Sequence, residues 1–429
     1  MRRIIVNAAW LSSESLIRLF VGLVVGILVA RHLGPEGLGR LAFCTAYVAL
    51  FVPLSQLGLD RIAVRELSVA GAAGGATLGS VFVLRLAAGA ASAAVAVLLF
   101  PLAGAPDPDS QLLMVCVLSA ALPLACGDAI DLWFQSQMSM RYSALSRNAG
   151  FLLSSAIRVS LVFAGAGVAW FTIAAPAEAV AILAGLLLFF RVQRPAALQL
   201  RFSAARSLEL LRESRFVLAY GFVIMVQARL DQVMLAHMSG EAELGQYAAA
   251  LGIVESLMFV AITVLASMSP MLAQMRAQDA ARYRLELVNM YRWVVVLFLP
   301  FGLILALFSD GIIRLLYGPA FAASGPLLAL LAIRLLPAYV GVARSVYVVN
   351  EKLYPVALLI AIGGTLINIF LNLAFIPRWG ATGAVWASTL SFFFTAIVGD
   401  LLFARTRENF FFMATALLTP WRARAVRGN

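Results

Sequence analysis

The chain contains 429 residues, of which 62% are apolar and only 12% are charged, whereas soluble domains are about 45–50% apolar and about 25% charged. This composition excludes a soluble globular protein and predicts a polytopic membrane protein. A net charge of +11 also occurs in nucleic-acid-binding proteins, but here the basic residues concentrate in the segments between apolar runs, so the charge indicates membrane topology and no nucleic-acid partner is expected.

The apolar runs have lengths near the roughly 20 residues that an α-helix needs to cross a bilayer. The sequence lacks the alternation of apolar and polar residues that is typical of β-strands, which favours a helical bundle over an outer-membrane barrel. We therefore predict an all-α integral membrane protein with twelve transmembrane helices. The runs lie near 7–30, 39–58, 78–101, 111–133, 145–164, 168–190, 216–239, 245–271, 291–309, 324–348, 353–376 and 382–404.

The placement of Arg and Lys predicts the orientation, because cytoplasmic loops carry an excess of these residues. With the N-terminus inside, 22 of the 32 basic residues fall on the cytoplasmic side and 4 on the outer side. Both termini are therefore predicted to be cytoplasmic. The segment 406–429 is predicted to form a basic cytoplasmic or interfacial tail.

Two stretches resemble each other about 205 residues apart: RHLGPEGLGRLAFCTAYV (31–48) and AHMSGEAELGQYAAALGIV (236–254). In this alignment Gly39 corresponds to Gly245. The similarity predicts an internal duplication.

The longest polar interruption, 191–215, separates the sixth and seventh runs. We predict an N-terminal six-helix lobe at 1–190, a basic cytoplasmic linker at 191–215 and a C-terminal six-helix lobe at 216–405. Since six is even, both halves have the same orientation, which gives a parallel repeat with a site expected between the lobes.

Six basic residues remain inside the apolar runs, where an unpaired charge costs roughly 3 kcal/mol. Arg85 and Arg158 have no acid within one turn of their own helices, so we predict that they bind substrate. Guanidinium groups bind phosphate oxygens through a planar fork, so the excess of arginine favours an anionic substrate. The structural alternative is pairing with acids on other helices, such as Asp128, Asp131, Glu178 or Glu255. The six residues are Arg18, Arg85, Arg158, Arg229, Arg334 and Arg344.

Three acids, Glu14, Asp231 and Glu255, are candidates for binding a coupling ion, with counter-charges to nearby arginines as the alternative. Glu14 and Arg18 are four residues apart and are predicted to pair on one helix face. Arg229 and Asp231 are two apart and do not face each other. The sequence contains no cofactor motif, metal-ligand cluster or soluble catalytic constellation, so we expect no cofactor, no metal and no enzymatic activity. An enzyme acting on a lipid is the alternative.

Several stretches, taken in order, resemble the polysaccharide biosynthesis protein family, the O-antigen and exopolysaccharide flippases of the multidrug/oligosaccharidyl-lipid/polysaccharide exporter superfamily. They are ARHLGPEGLGRLAF (30–43), LGLDRIAVREL (57–67), WFQSQMSMRYSAL (133–145), RLDQVMLAHMSGEAELGQYAAA (229–250), LLYGPAF (315–321) and NIFLNLAFIPRWGATGAVWAS (368–388).

The resemblance implies alternating access around a cationic cavity and transport of an undecaprenyl-pyrophosphate-linked oligosaccharide. Cavity arginines on the first and seventh helices of the family correspond to Arg18 and Arg229. The implied partners are membrane lipids, H⁺ or Na⁺ as a coupling ion, and a polysaccharide polymerase and glycosyltransferases. A lipid II flippase of the same superfamily usually has two helices more than the twelve predicted for this chain, so the resemblance favours the oligosaccharide flippases. An ion-coupled multidrug exporter of the same superfamily and a non-transporting scaffold of a glycan-assembly complex are also compatible with the sequence.

Overall fold

The computed structural model describes residues 2–70, 74–103, 107–193 and 198–422, with the backbone alone at 2–16, 108, 266 and 422. All regular secondary structure in these ranges is helical, which confirms the predicted all-α class. The fifteen α-helices are α1 (Arg2–Ala49), α2 (Val52–Gln56), α3 (Asp60–Ala70), α4 (Gly75–Leu99), α5 (Pro108–Ser119), α6 (Ala121–Leu124), α7 (Asp128–Ser136), α8 (Met140–Phe163), α9 (Ala174–Gln193), α10 (Ala204–Ser239), α11 (Glu241–Gln278), α12 (Ala280–Leu316), α13 (Ser324–Asn350), α14 (Tyr354–Ala396) and α15 (Arg407–Leu418).

Short 3₁₀ turns continue or connect several of these helices. They lie at Phe100–Ala103, Ala125–Gly127, Val168–Ile173, Pro319–Phe321, Val398–Leu402 and Pro420–Arg422.

Within the described residues, nine helical segments are long and apolar enough to cross a membrane. Two of them, Ile17–Ala70 and Tyr354–Ala396, each overlap two of the predicted apolar runs. The run near 145–164 falls in α8, which is not among the nine and carries three arginines, Arg141, Arg147 and Arg158. The chain is therefore a multi-pass membrane protein, and twelve crossings and the orientation of the termini stay predictions.

The two longest helices are broken where the sequence places an interruption between apolar runs. The backbone of α1 leaves helical geometry at Gly34, with a φ of 68°, and α14 does so at Gly380, with a φ of 55°. A positive φ is accessible to glycine at little cost. Pro35 follows the first break directly, and because proline cannot donate a backbone hydrogen bond, it sharpens the kink.

Contacts between α-carbons divide the chain into two compact units, residues 1–245 and 246–429. In the first unit, α1 packs against α8 and α10, and α8 packs against α9. In the second unit, α13 packs against α12 and α14. The predicted lobes, which divide at 191–215, stay a prediction.

Most of the segment predicted as a linker is helical, because α10 begins at Ala204 rather than near 216. The Ser203 side chain accepts a hydrogen bond from the backbone N–H of Arg206 at 3.4 Å, which is the N-cap arrangement. Arg206 also pairs with Glu209 at 2.6 Å. The first turns of α10 are therefore capped and fixed before the apolar run starts.

The tail prediction concerns residues 406–429, of which 423–429 lie outside the described residues. The described part forms α15, which packs against α12 through buried Asn409, Met413 and Ala416. The Tyr291 hydroxyl of α12 donates to Asn409 Oδ1 at 2.9 Å. This part of the tail is thus docked on the second unit.

The two repeated motifs meet within the first unit through the glycines that the repeat aligns. A Cβ atom on Gly39 would lie 1.7 Å from the carbonyl oxygen of Glu241, and one on Gly245 would lie 1.8 Å from that of Pro35. Since both distances are far below van der Waals contact, each position requires glycine. The contact is reciprocal. Gly39 faces the carbonyl group of Glu241, four residues before Gly245, and Gly245 faces that of Pro35, four residues before Gly39.

Candidate functional site

Arg18 reaches from α1 to the helices α8 and α9. Its Nη1 lies 3.3 Å from Glu178 Oε1 on α9, and its Nη2 donates to the carbonyl oxygen of Arg147 on α8 at 3.3 Å. The guanidinium carbon also lies 5.0 Å from the ring centroid of Phe151, within the range of a cation–π contact. Arg18 is therefore held by three different kinds of contact.

Glu178 brings together two of the arginines that the sequence predicts to bind substrate. Besides Arg18, its carboxylate interacts electrostatically with Arg158, and its Oε2 accepts a hydrogen bond from Ser154 Oγ at 2.8 Å. We call Arg18, Ser154, Arg158 and Glu178 the Glu178 site. Its arginines carry two positive charges and Glu178 supplies one negative charge.

A second group, which we call the Asp128 cluster, consists of Asp60, Arg85, Asp128, Asp131 and Arg147. The Arg85 guanidinium, of which only 2% is exposed, pairs with Asp60 and lies 3.9 Å from Asp128 Oδ2. Arg147 Nη2 lies 3.2 Å from Asp128 Oδ1 and 2.6 Å from Asp131 Oδ2. Three carboxylates thus surround two arginines.

The carboxylates of the Asp128 cluster stand at the beginnings of helices. Asp60 is the first residue of α3, and Asp128 and Asp131 lie in the first turn of α7. The positive end of the helix dipole favours acids at these positions. Arg85 therefore lies in a prearranged acidic environment, which favours a structural role over substrate binding.

Of the remaining predicted site residues, Arg229, Asp231 and Glu255 lie on helices other than those of the Glu178 site. Arg229 and Asp231 are on α10, where Arg229 is half-buried and Asp231 is fully buried, its Oδ1 accepting from the Gln232 backbone N–H at 2.8 Å. Glu255 is exposed on α11, in the second unit. The side chain of Glu14 lies outside the described residues. The roles of all four residues stay predictions.

In the second unit, the two remaining intramembrane arginines contact partners on other helices. Arg344 Nη2 lies 2.7 Å from Asp400 Oδ1, and this pair is almost completely buried. Asn409 of α15 donates to Asp400 Oδ2 at 2.7 Å, so the pair also helps to hold α15. Arg334 contacts the Tyr247 hydroxyl at 3.2 Å and stands 4.6 Å from the Phe392 ring centroid.

Two residues of these clusters, Asp60 and Ser154, were not predicted from the sequence. Asp60 lies between two apolar runs, so a search for charges within runs passes over it. Ser154 carries no charge, and only its position one turn before Arg158 on α8 could have connected it with the site.

A cavity of about 360 Å³ lies beside the paired motifs, lined by Glu36, Arg40, Asp107, Ser239, Gly240, Glu241 and Ala242. Arg40 Nε donates to Glu241 Oε2 at 3.0 Å, and its Nη1 lies 3.5 Å from Asp107 Oδ2. The lining of this cavity contains three acids and one arginine, and this net negative charge disfavours an anionic ligand.

A family model described as polysaccharide biosynthesis protein matches residues 4–276. No curated protein matches the sequence. Among solved structures, an inward-facing multidrug resistance transporter of the MATE family of the MOP superfamily has a TM-score of 0.72 at 15% identity, covering 96% of this chain and 99% of that one.

Two further structures are similar in fold. The lipid II flippase MurJ in an inward closed conformation has a TM-score of 0.72 at 14% identity, covering 96% of this chain and 91% of that one. An outward-facing MATE family transporter has a TM-score of 0.65 at 16% identity, covering 96% of each chain. The fold is therefore that of the flippases and exporters of this superfamily.

Proposed function

Because the chain belongs to the polysaccharide biosynthesis protein family, we propose that it is a flippase that moves an undecaprenyl-pyrophosphate-linked oligosaccharide across the bacterial inner membrane. Transport proceeds by alternating access and is coupled to H⁺ or Na⁺. A polysaccharide polymerase and glycosyltransferases are the proposed pathway partners. The fold relatives are transporters, which is consistent with a role other than catalysis.

The observation that carries the proposal is the Arg18–Glu178 pair, in which the carboxylate also interacts electrostatically with Arg158. A diphosphate group carries several negative charges and presents oxygens to which guanidinium groups bind strongly. Arg18 and Arg158 are therefore the proposed diphosphate ligands, with Arg229 as a further candidate.

An ion-coupled multidrug exporter is the second candidate, because a MATE transporter and the MurJ flippase match this fold with equal TM-scores of 0.72. The two functions differ in the charge of the substrate. A lipophilic cation would be repelled by paired guanidinium groups, whereas a diphosphate would be attracted.

The test is flipping of a fluorescent polyprenyl-diphosphate oligosaccharide in proteoliposomes, with and without H⁺ and Na⁺ gradients. We expect the wild type to flip the lipid and Arg18→Ala to reduce the rate while the protein remains folded. Transport of a lipophilic cationic dye, without lipid flipping, would favour the exporter. Failure to transport either probe would favour a scaffold of a glycan-assembly complex.

A further inference from the structure

We propose that Glu178 is an exchangeable internal counter-anion: in the empty protein its carboxylate occupies the place of a substrate phosphate beside Arg18 and Ser154, and the substrate's diphosphate displaces it. This inference rests on the proposed function, since it requires a diphosphate substrate. It assigns to Glu178 a part in the transport cycle that is separate from holding the helices together.

The contacts of Glu178 match those that a phosphate group would make. One carboxylate oxygen faces Arg18 Nη1 at 3.3 Å, and the other accepts from Ser154 Oγ at 2.8 Å. These donors come from α1 and α8, while the carboxylate comes from α9. Since phosphate and carboxylate oxygens accept hydrogen bonds from the same donors, an arrangement that satisfies Glu178 can also satisfy two phosphate oxygens.

The partial exposure of the pair permits this exchange. The side chains of Arg18 and Glu178 are 34% and 19% exposed, whereas Arg344 and Asp400 in the second unit are 3% and 0% exposed. Part of each side chain of the Arg18–Glu178 pair therefore lies at the protein surface, whereas the Arg344–Asp400 pair is closed off from it. The Arg344–Asp400 pair serves as the structural contrast.

Arg18 keeps other contacts when Glu178 leaves. Its Nη2 donates to the Arg147 carbonyl oxygen, and the guanidinium lies over the Phe151 ring. These contacts fix the position of the guanidinium independently of the carboxylate. The binding geometry is thus present both before and after the exchange.

A transport cycle gives the exchange its physical purpose. After release of substrate, the protein returns empty, and uncompensated guanidinium groups at membrane depth are costly. Glu178 compensates part of this charge in the empty state. In the loaded state the diphosphate and the carboxylate would repel each other and compete for the same donors, so the carboxylate moves aside.

The first experiment measures binding of undecaprenyl diphosphate to the purified full-length protein in detergent. Glu178→Gln preserves the size of the side chain but removes the competing charge, so we expect the Kd to fall about tenfold, the scale of a charge-assisted hydrogen bond. The control is Glu351→Gln, which removes the carboxylate of an ion pair with Arg276 in the second unit and should leave the Kd unchanged. A Kd that is unchanged or raised in Glu178→Gln would overturn the inference.

The second experiment separates the empty return from the loaded step in proteoliposomes. Fluorescent substrate is placed in one leaflet, and unlabelled substrate is present or absent in the opposite leaflet. We expect Glu178→Gln to flip the label about tenfold more slowly than wild type when the opposite leaflet lacks substrate. Unlabelled substrate should restore the rate, because the protein then returns loaded. A residue with a merely structural role would slow both conditions equally, and that result would contradict the inference.

The outcomes for the wild type distinguish this inference from the proposed function. If the wild type neither binds nor flips the diphosphate lipid, the proposed function fails and the inference fails with it. If the wild type is active and Glu178→Gln matches it in both experiments, only the inference fails. Should Glu178→Gln not fold, Glu178→Asp keeps the charge but withdraws it from Arg18, and we expect a smaller decrease in Kd. An unchanged Kd in Glu178→Asp would then overturn the inference.

Discussion

The Glu178 site and the Asp128 cluster lie in the same compact unit and share a neighbour, yet they surround their arginines differently. Arg18 is about one-third exposed and pairs with Glu178, which also interacts electrostatically with Arg158. Arg85 is buried and lies between Asp60 and Asp128. Arginine count alone therefore does not identify a ligand site, and the number and accessibility of the surrounding acids must be known.

Arg147 connects the two clusters. Arg147 directs its side chain to Asp128 and Asp131 but its carbonyl oxygen to Arg18. The Asp128 cluster thus helps to fix the backbone that Arg18 contacts. A ligand site is positioned precisely when its residues are supported by further packing and hydrogen bonds of this kind.

The largest expected effect is a loss of stability when Arg85 is removed. Arg85→Met should lower the free energy of unfolding by about 3 kcal/mol, the lower end of the range for a broken buried ion pair, because Asp60 loses its buried partner but is half-exposed, and Asp128 keeps Arg147. The measurement is denaturation in detergent micelles, with Arg18→Met as the matched control. A stable Arg85→Met protein that no longer binds the diphosphate lipid would instead place Arg85 among the ligands.

The next effect is on ligand binding at Arg18. Arg18→Ala should weaken the binding of undecaprenyl diphosphate by about ten- to a hundredfold, equivalent to about 1.5–3 kcal/mol for a charged hydrogen bond. Arg18→Lys should recover only part of this affinity, because an ammonium group lacks the planar fork. Full recovery by lysine would indicate that charge alone is required, and unchanged affinity in the alanine variant would exclude Arg18 as a ligand.

Arg147 tests whether the two clusters are separable. Arg147→Ala removes the side-chain pairs with Asp128 and Asp131 but retains the carbonyl oxygen that Arg18 contacts. We expect a stability loss of about 1.5–3 kcal/mol, because the buried Asp131 loses its arginine, and a change in ligand affinity below about threefold, as for independent sites. Both are measured as described for Arg85 and Arg18. An affinity loss as large as that of Arg18→Ala would show that the two clusters act as one.

Much of the fold could be predicted because it depends on local signals. Apolar runs of sufficient length gave the membrane helices, and the interruptions at Gly34 and Gly380 fell between the predicted runs. The early start of α10 was also visible in principle, since Ser203 is a good N-cap residue. The first turns of α10 are polar, so the length of an apolar run does not predict where this helix begins.

The site was predictable only in part, because its contacts span large separations in sequence. Arg18 and Arg158 were recognised from their positions within apolar runs, and Glu178 was one of several acids available to them. The side-chain hydrogen bond between Arg18 and Glu178 joins residues 160 positions apart. Helix rotation and packing determine that contact, and neither follows from periodicity when a helix is apolar on most of its surface.

The smallest expected effect comes from an ion pair outside the apolar runs. Two nitrogens of Arg276 donate to Glu351 at 2.7 and 2.9 Å, and these hydrogen bonds hold the pKa of Glu351 below its ordinary value of 4.5. Because the pKa is lower in the folded state, the pair stabilises the protein above pH 4.5, and this contribution disappears as the pH falls through the lowered pKa. The pair is partly exposed, so Glu351→Gln should cost no more than about 1 kcal/mol at neutral pH, and the difference from wild type should vanish in acid. Denaturation at neutral and acidic pH measures this difference. If Glu351→Gln lowered the free energy of unfolding as much as Arg85→Met, the exposure of an ion pair would not predict its contribution to the stability of this protein.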